Sequence, residues 1–145
     1  MSAGVSVAAL VPQRGRMCLL DSVETWDANR IVCRAISHRA ADNPLRHAGI
    51  LPAVCGVEYG LQAMAAHGAL AGGSPQLAGL LASLRGTRLR VDRLDDIADA
   101  LIVEARRTND DPRLLVYEFA ISAAGRPLLD GRAIVVAAAS MAGGR

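Results

Sequence analysis

The feature that most constrains the fold is one uninterrupted stretch of mostly apolar and small residues at 54–70. Pro52 precedes the run at a position that suits the first turn of a helix, and a Gly-Gly-Ser-Pro cluster at 72–75 ends it. Because nearly every position is apolar or small, the predicted helix must be covered on several sides. Gly56 and Gly60 each cost about 1 kcal/mol relative to alanine inside a helix, so close contact with a sheet should compensate.

Segments with strand character flank this helix and are separated by turn clusters. Residues 30–37 alternate most clearly, with Ile31, Cys33 and Ala35 on one face. Two strands, one helix and four strands favour a single α+β domain over residues 1–145, with an antiparallel sheet wrapped around the helix in the hotdog arrangement. The segments are 17–26 and 30–37 before the helix and 76–91, 100–108, 114–123 and 132–139 after it, with an arm or short helix at 1–10, a turn at 124–127 and a frayed tail at 142–145.

Composition excludes several classes of protein. A net charge of +2 with no basic run among aromatics argues against nucleic-acid binding. All sixteen basic residues are arginine, which excludes Schiff-base chemistry on a lysine. Cys18, Cys33 and Cys55 form no CxxC pair, so we expect reduced thiols rather than disulfides or zinc ligands. With neither a signal peptide nor a membrane span in the sequence, the expected compartment is the cytosol.

Glu58 is the residue that least fits its surroundings. It is the only charged residue between Leu51 and Leu84, and apolar residues share its helical face. A buried carboxyl group without a partner tends to stay protonated, which suits it to donate a proton near neutrality. The equally weighted alternative is a carboxylate bonded to a nearby arginine or to the adjacent loop.

Two histidines lie close in sequence to this helix. His38 closes the second strand and His47 sits in the loop that follows, whereas His67 should be solvated or should interact with the helix dipole near the C-terminal end. A histidine and a glutamate without a metal motif or an activated nucleophile favour proton abstraction beside a carbonyl and loss of a leaving group, as in an elimination. The backbone N–H groups of Ala53 and Val54, at the positive end of the helix, would stabilise the enolate.

Two groups of short motifs stand out along residues 10–70. Around the helix they are His38, Asn43-Pro44-Leu45-Arg46, Leu51-Pro52-Ala53, Gly56-Val57-Glu58-Tyr59 and Gln62-Ala63-Met64, and before it they are Val11-Pro12-Gln13-Arg14 and Met17 to Val23. The helix motif and the two earlier segments resemble the β-hydroxyacyl-(acyl carrier protein) dehydratases, in which methionine-proline-glycine precedes a glutamate and, one turn later, a glutamine, and which have a Pro-His-Arg turn and a leucine-rich strand. The motifs around the helix show a closer resemblance to the divergent dehydratases of aryl polyene pigment clusters.

The sequence departs from the fatty-acid enzymes at two points. Pro44 stands where their catalytic histidine lies, fourteen residues before the glutamate, and Ala53 replaces the glycine after the proline. His38 matches the pigment-cluster pattern and is the first candidate for the missing base, with His47 second.

The resemblance implies a hydro-lyase that removes water from 3-hydroxyacyl thioesters on acyl carrier protein. His38 would take the α proton, Glu58 would assist loss of the hydroxyl, and Ala53, Val54 and Gln62 would bind substrate. It also implies a dimer, with itself or a related subunit, and no cofactor beyond the carrier's phosphopantetheine. An acyl thioesterase and a non-catalytic partner subunit are the alternatives. Exposed arginines (Arg85, Arg88, Arg90, Arg93) are candidates to meet the acidic carrier, although a solvated strand face is the stronger interpretation.

Overall fold

The computed structural model describes residues 7–11, 13–72 and 79–137, and the predicted order of elements is confirmed within them. Short 3-10 turns lie at Val7–Ala9, Gly15–Met17, Ser37–Arg39 and Ala53–Cys55. The regular elements are β1 (Ser22–Trp26), β2 (Arg30–Ala35), α1 (Gly56–Gly72), β3 (Gly79–Leu89), β4 (Leu101–Arg107), β5 (Leu114–Ala123) and β6 (Arg126–Ala137). The predicted features at 1–6, at Pro12, at 73–78 and at 138–145 lie outside the described residues.

The six strands form one antiparallel sheet in the order β1-β2-β4-β5-β6-β3. Helix α1 packs mainly on β2, β4, β5 and β6, so the sheet curls around it as predicted. The alternation of β2 is also confirmed, since Ile31, Cys33 and Ala35 are fully buried. The arm before β1 adds to the same core through Val7, Leu10 and Val11.

The β5–β6 hairpin is tighter than predicted. Only Ala124 and Gly125 form the turn, and both have positive φ, 50° and 79°, as a two-residue type I′ turn requires. Strand β6 therefore begins at Arg126, and Arg126 and Pro127 pair with the end of β5 instead of lying in the turn.

The glycines of α1 allow the close packing that the sequence indicated. A Cβ added to Gly56 would lie 2.6 Å from Leu129 Cδ2, and one added to Gly60 would lie 2.7 Å from Phe119 Cδ1 and 2.8 Å from its Cγ. Phe119 is buried, so its ring has little freedom to move away. The cost of these glycines to the helix is thus offset by direct contact between helix backbone and sheet.

Gly60→Ala should therefore destabilise the protein by about 1–3 kcal/mol, because the new methyl group overpacks Phe119. Gly68→Ala is the matched control in the same helix, since a Cβ there meets nothing within 4 Å. It should stabilise by about 0.5–1 kcal/mol through helix propensity alone. Urea unfolding of the two variants should shift in opposite directions, and equal shifts would contradict this packing argument.

Strand β3 forms an open edge of the sheet. It pairs with β6 on one side, and no other described strand pairs with its second side. Residues 84–90 are all exposed, including Leu84 at 39% and Leu89 at 48%. A long edge strand that carries exposed apolar side chains is typical of a surface that another chain covers.

Candidate active site

Glu58 lies in the first turn of α1, and its side chain is half-buried. Its Oε2 atom accepts hydrogen bonds from Gln13 Nε2 at 3.2 Å and from Gln62 Nε2 at 3.5 Å. No ion pair to Glu58 is found among the described residues. The carboxyl group is therefore held by two neutral amides, and the predicted alternative of an arginine partner is not observed in this part of the chain.

Gln62 supports Glu58 and is fully buried. Its Oε1 accepts the Leu19 N–H at 2.8 Å, and its Nε2 donates to the Met17 carbonyl at 2.6 Å as well as to Glu58. All of its polar groups are thus engaged with protein. This geometry makes Gln62 a support for Glu58 and for the segment before β1, and its contact with substrate stays a prediction.

His38 occupies the 3-10 turn after β2 and is fully buried. Its Nε2–H donates to the carbonyls of Ile97 and Asp99, both at 3.0 Å. Because two carbonyls can only accept, Nε2 carries the proton and Nδ1 carries the lone pair. Nδ1 is buried and has no hydrogen-bond partner among the described residues. Burial lowers the pKa of His38, against the opposing effect of the two carbonyls, so the ring is neutral at pH 7.

The turn that holds His38 is fixed to α1 by a polar network. Ser37 Oγ donates to the Leu19 carbonyl at 2.7 Å and accepts from Tyr59 Oη at 2.7 Å. The Asn43 amide donates to the Ser37 carbonyl at 2.9 Å and to Tyr59 Oη at 3.2 Å. Tyr59 is adjacent to Glu58 in α1, so both candidate residues are anchored to one helical turn. Neither His38 nor His47 is hydrogen-bonded to Glu58 within the protomer.

At the start of the helix, the expectation that the Ala53 N–H is free to bind substrate is wrong. Its N–H donates to the Asp92 carbonyl at 3.0 Å, so it is not free to bind a ligand. The Val54 N–H has no partner among the described residues, and the Val54 side chain is 55% exposed. Of the two N–H groups expected to bind the thioester carbonyl, only that of Val54 is therefore free within the described residues.

Comparison with known proteins identifies the family. The model of the ApeP-like family, described as ApeP dehydratase, matches residues 5–142. The chain belongs to the ApeP-like dehydratases. Among proteins with curated descriptions, no similar sequence is found.

Solved structures show that this ApeP-like chain has the hotdog fold. The dehydratase heterocomplex ApeI:P from Xenorhabdus doucetiae contains a chain that is 22% identical with a TM-score of 0.81, over 92% of this chain and 91% of that one. Zebrafish thioesterase superfamily member 2 is 12% identical with a TM-score of 0.63, over 90% and 91%. A hypothetical thioesterase with coenzyme A from Streptococcus pneumoniae is 13% identical with a TM-score of 0.58, over 79% and 83%.

The remaining histidines of the ApeP-like chain differ in environment. His47 is exposed in a tight turn that it closes by pairing with Ile50. His67 is buried, which corrects the expectation of a solvated residue. Its Nε2–H donates to the Asp27 carbonyl at 2.9 Å, and its Nδ1 accepts from Tyr117 Oη at 2.6 Å. It therefore fastens α1 to β5 and to the β1–β2 turn.

Acid should weaken the fold through His67. Burial lowers its pKa from 6.5, an effect that Arg107 reinforces and Asp27 opposes, so below pH 6.5 the unfolded chain binds a proton that the folded chain excludes. The free energy of unfolding should keep its full value above that pH and should fall by up to about 1.4 kcal/mol per pH unit below it. Urea unfolding at pH 7.5 and 5.5 should show a smaller pH effect in His67→Gln than in the wild type. His47→Gln is the exposed control, and an undiminished effect in His67→Gln would refute this role.

The cysteines of the ApeP-like chain are free thiols, as predicted. Burial raises the pKa of Cys33 to about 12 and also raises the pKa values of Cys18 and Cys55, so none is suited to act as a thiolate nucleophile. Among the described residues, no group of His, Cys, Asp or Glu is arranged to hold a metal ion. No described helix has the length and hydropathy needed to cross a membrane.

Sequence reasoning missed two residues that organise this site. Gln13 contacts Glu58, and Asp95 accepts the Leu51 N–H at 2.8 Å just before the helix start. Gln13 could have been suspected because it takes the histidine position of the Pro-His-Arg turn in the related enzymes. No local pattern marks Asp95, whose role depends on a contact across 44 residues.

Proposed function

We propose that this chain removes water from 3-hydroxyacyl thioesters carried on acyl carrier protein, in aryl polyene or related fatty-acid-type biosynthesis. The observation that carries the proposal is Glu58, which stands on an apolar helix of an ApeP-like dehydratase with one carboxyl oxygen anchored and the other without a protein partner among the described residues. The substrate would bring its own phosphopantetheine arm, and the proposed reaction uses no metal or organic cofactor.

The proposed elimination assigns a proton to each candidate residue. His38 Nδ1, the ring nitrogen with the lone pair, takes the proton from the α carbon, and the Val54 N–H stabilises the enolate oxygen. The bond between C3 and its hydroxyl breaks, and the hydroxyl leaves as water with a proton from Glu58. Transfer of the proton from His38 back to Glu58 resets the site, so atoms and charges balance without a further reactant.

We further propose that two hotdog chains build this site together. His38 and Glu58 are not hydrogen-bonded to each other within one protomer, and in the resembled dehydratases the histidine of one subunit faces the glutamate of the other. The exposed edge of β3 offers a surface for such pairing. The similar chain from Xenorhabdus doucetiae belongs to a heterocomplex, which makes a related hotdog subunit a candidate as well as a second copy of this chain.

A second candidate function is favoured by the burial of His38. The ring is fully covered in the protomer, so the α carbon of a substrate reaches Nδ1 only if covering residues move. A chain that contributes Glu58, while its partner contributes the base, would avoid this movement. In that case the protein would be a subunit that is inactive by itself.

Docking of the carrier remains a proposal for the arginines near β3. Arg88 and Arg90 pair with Asp130 at 3.0 and 3.6 Å, and Arg93 pairs with Asp95. Arg85 has no ion pair among the described residues. Each of these arginines except Arg85 therefore has an acidic partner within the protein, which favours a solvated strand face over carrier docking for all but Arg85.

The deciding experiment is mass spectrometry of 3-hydroxyacyl-carrier protein after incubation with the chain alone and with the hotdog subunit that co-purifies with it. Loss of water with the chain alone, abolished in His38→Ala, would support the complete dehydratase. Loss of water only in the complex, retained in His38→Ala, would support the partner-subunit function. Release of a free carrier thiol would instead indicate a thioesterase.

A further inference from the structure

The segment between the N-terminal arm and β1 contributes a side chain to the candidate site. Gln13 is half-buried and lies 45 residues from Glu58 in sequence, yet its Nε2 donates to Glu58 Oε2 at 3.2 Å. We infer that Gln13 is a positioning residue that fixes the Glu58 carboxyl group for the elimination. This inference rests on the proposed dehydratase function.

The two oxygens of Glu58 have different surroundings. Oε2 accepts from both Gln13 and Gln62, whereas Oε1 accepts from neither and has no partner among the described residues. A carboxyl group held through one oxygen has a defined plane, and its other oxygen points in a defined direction. Oε1 is therefore the atom left to meet the 3-hydroxyl of the substrate.

The backbone that carries Gln13 is itself anchored to α1. Gln62 binds the Met17 carbonyl at 2.6 Å and the Leu19 N–H at 2.8 Å, as a neighbouring strand would. On the other side of Gln13, the Arg14 guanidinium donates to the Val11 carbonyl at 3.1 Å. The helix thus fixes the segment through Gln62, and the segment in turn fixes Glu58 through Gln13.

The physical effect of this arrangement is preorganisation. A glutamate side chain loses conformational entropy when its rotamer is fixed. Because the hydrogen bonds from Gln13 and Gln62 fix the rotamer during folding, this entropy is lost before substrate binds. In this arrangement Gln13 contacts Glu58 and not the substrate. Its loss should therefore lower kcat more than it raises KM. The buried Oε1 atom of Gln13 has no hydrogen-bond partner among the described residues. Gln13 therefore acts on Glu58 through its Nε2 atom.

The kinetic test compares Gln13→Met with Arg16→Met, a substitution at an exposed position of the same segment, using whichever assembly is active on 3-hydroxyacyl-carrier protein. Methionine keeps the length of glutamine and removes the donor. We expect kcat to fall about tenfold in Gln13→Met, as for the loss of one hydrogen bond, with KM within about twofold. Arg16→Met should change neither kcat nor KM. Gln13→His, which restores an N–H donor, should recover part of kcat, and an unchanged kcat in Gln13→Met would overturn the inference.

A double-mutant cycle on thermal unfolding tests the contact without activity. Gln13→Met and Glu58→Met should shift the melting temperature non-additively when combined, because each removes the hydrogen bond between the two side chains. Additive shifts would show that the two side chains do not interact. An active wild type with an unaffected Gln13→Met variant would sink this inference alone, whereas a wild type that releases no water would sink the proposed function and the inference that depends on it.

Discussion

Glu58→Gln should reduce dehydration of 3-hydroxyacyl-carrier protein by about 10²–10⁴-fold while the protein stays folded. Glutamine has the shape of glutamate, and its amide oxygen still accepts from Gln13 and Gln62, so the helix turn should keep its conformation. What is lost is the carboxyl proton that assists departure of the hydroxyl. The measurement is single-turnover formation of the enoyl product by mass spectrometry, with circular dichroism to check the fold.

The matched control for this variant is Glu24→Gln, at an exposed position of β1 far in sequence from α1. It makes the same chemical change outside the candidate site and should leave dehydration unaltered. A Glu58→Gln protein that turned over as fast as Glu24→Gln would show that Glu58 is a structural carboxylate.

The second large effect is expected at Asp95. Its carboxylate is buried, accepts the N–H of Leu51 at 2.8 Å and is paired with Arg93, and these bonds tie the loop after β3 to the start of the helix. Asp95→Ala should destabilise the protein by about 1–3 kcal/mol, because the buried Leu51 N–H loses its acceptor. The same loop supplies the Ile97 and Asp99 carbonyls that hold His38.

Urea unfolding of Asp95→Ala and Asp96→Ala checks this prediction. Asp96 is exposed, and its carboxylate lies 3.9 Å from Arg93, which is a long and weak ion pair. Its removal should therefore cost less than about 0.5 kcal/mol. Arg93 holds the pKa of Asp95 well below its usual range, and the contribution of the carboxylate should therefore persist above about pH 4 and fade only as pH drops further. Equal losses in the two variants would contradict a specific role for Asp95.

Patterns within short stretches of sequence predicted the parts of the fold that neighbouring residues determine. The single helix and the alternation of β2 follow from periodicity, and the need for close packing at Gly60 follows from its cost within a helix. The start of β6 was missed because Ala124 takes a left-handed conformation that alanine rarely adopts, so the turn is shorter than its composition indicates.

The candidate site was only partly predictable because its side chains meet through long-range contacts. Glu58 was found because a charge stood out on an apolar helix. Its amide partner Gln13 and the carbonyl acceptors of His38 lie 45 and about 60 residues away, beyond any periodic signal. His67 was misplaced for the same reason, since Tyr117 and the Asp27 carbonyl that bury it belong to strand and turn segments remote in sequence.

The open side of β3 also matters during synthesis, before any catalysis takes place. Its unpaired backbone groups can bond to any extended segment, so a chain whose β3 edge is uncovered is exposed to edge-to-edge aggregation. Arg85, which has no ion pair among the described residues, lies on this strand and would disfavour pairing wherever a second positive charge stood opposite it. A chain that covered this edge, whether a second copy or the proposed related subunit, would therefore also protect the protein from aggregation.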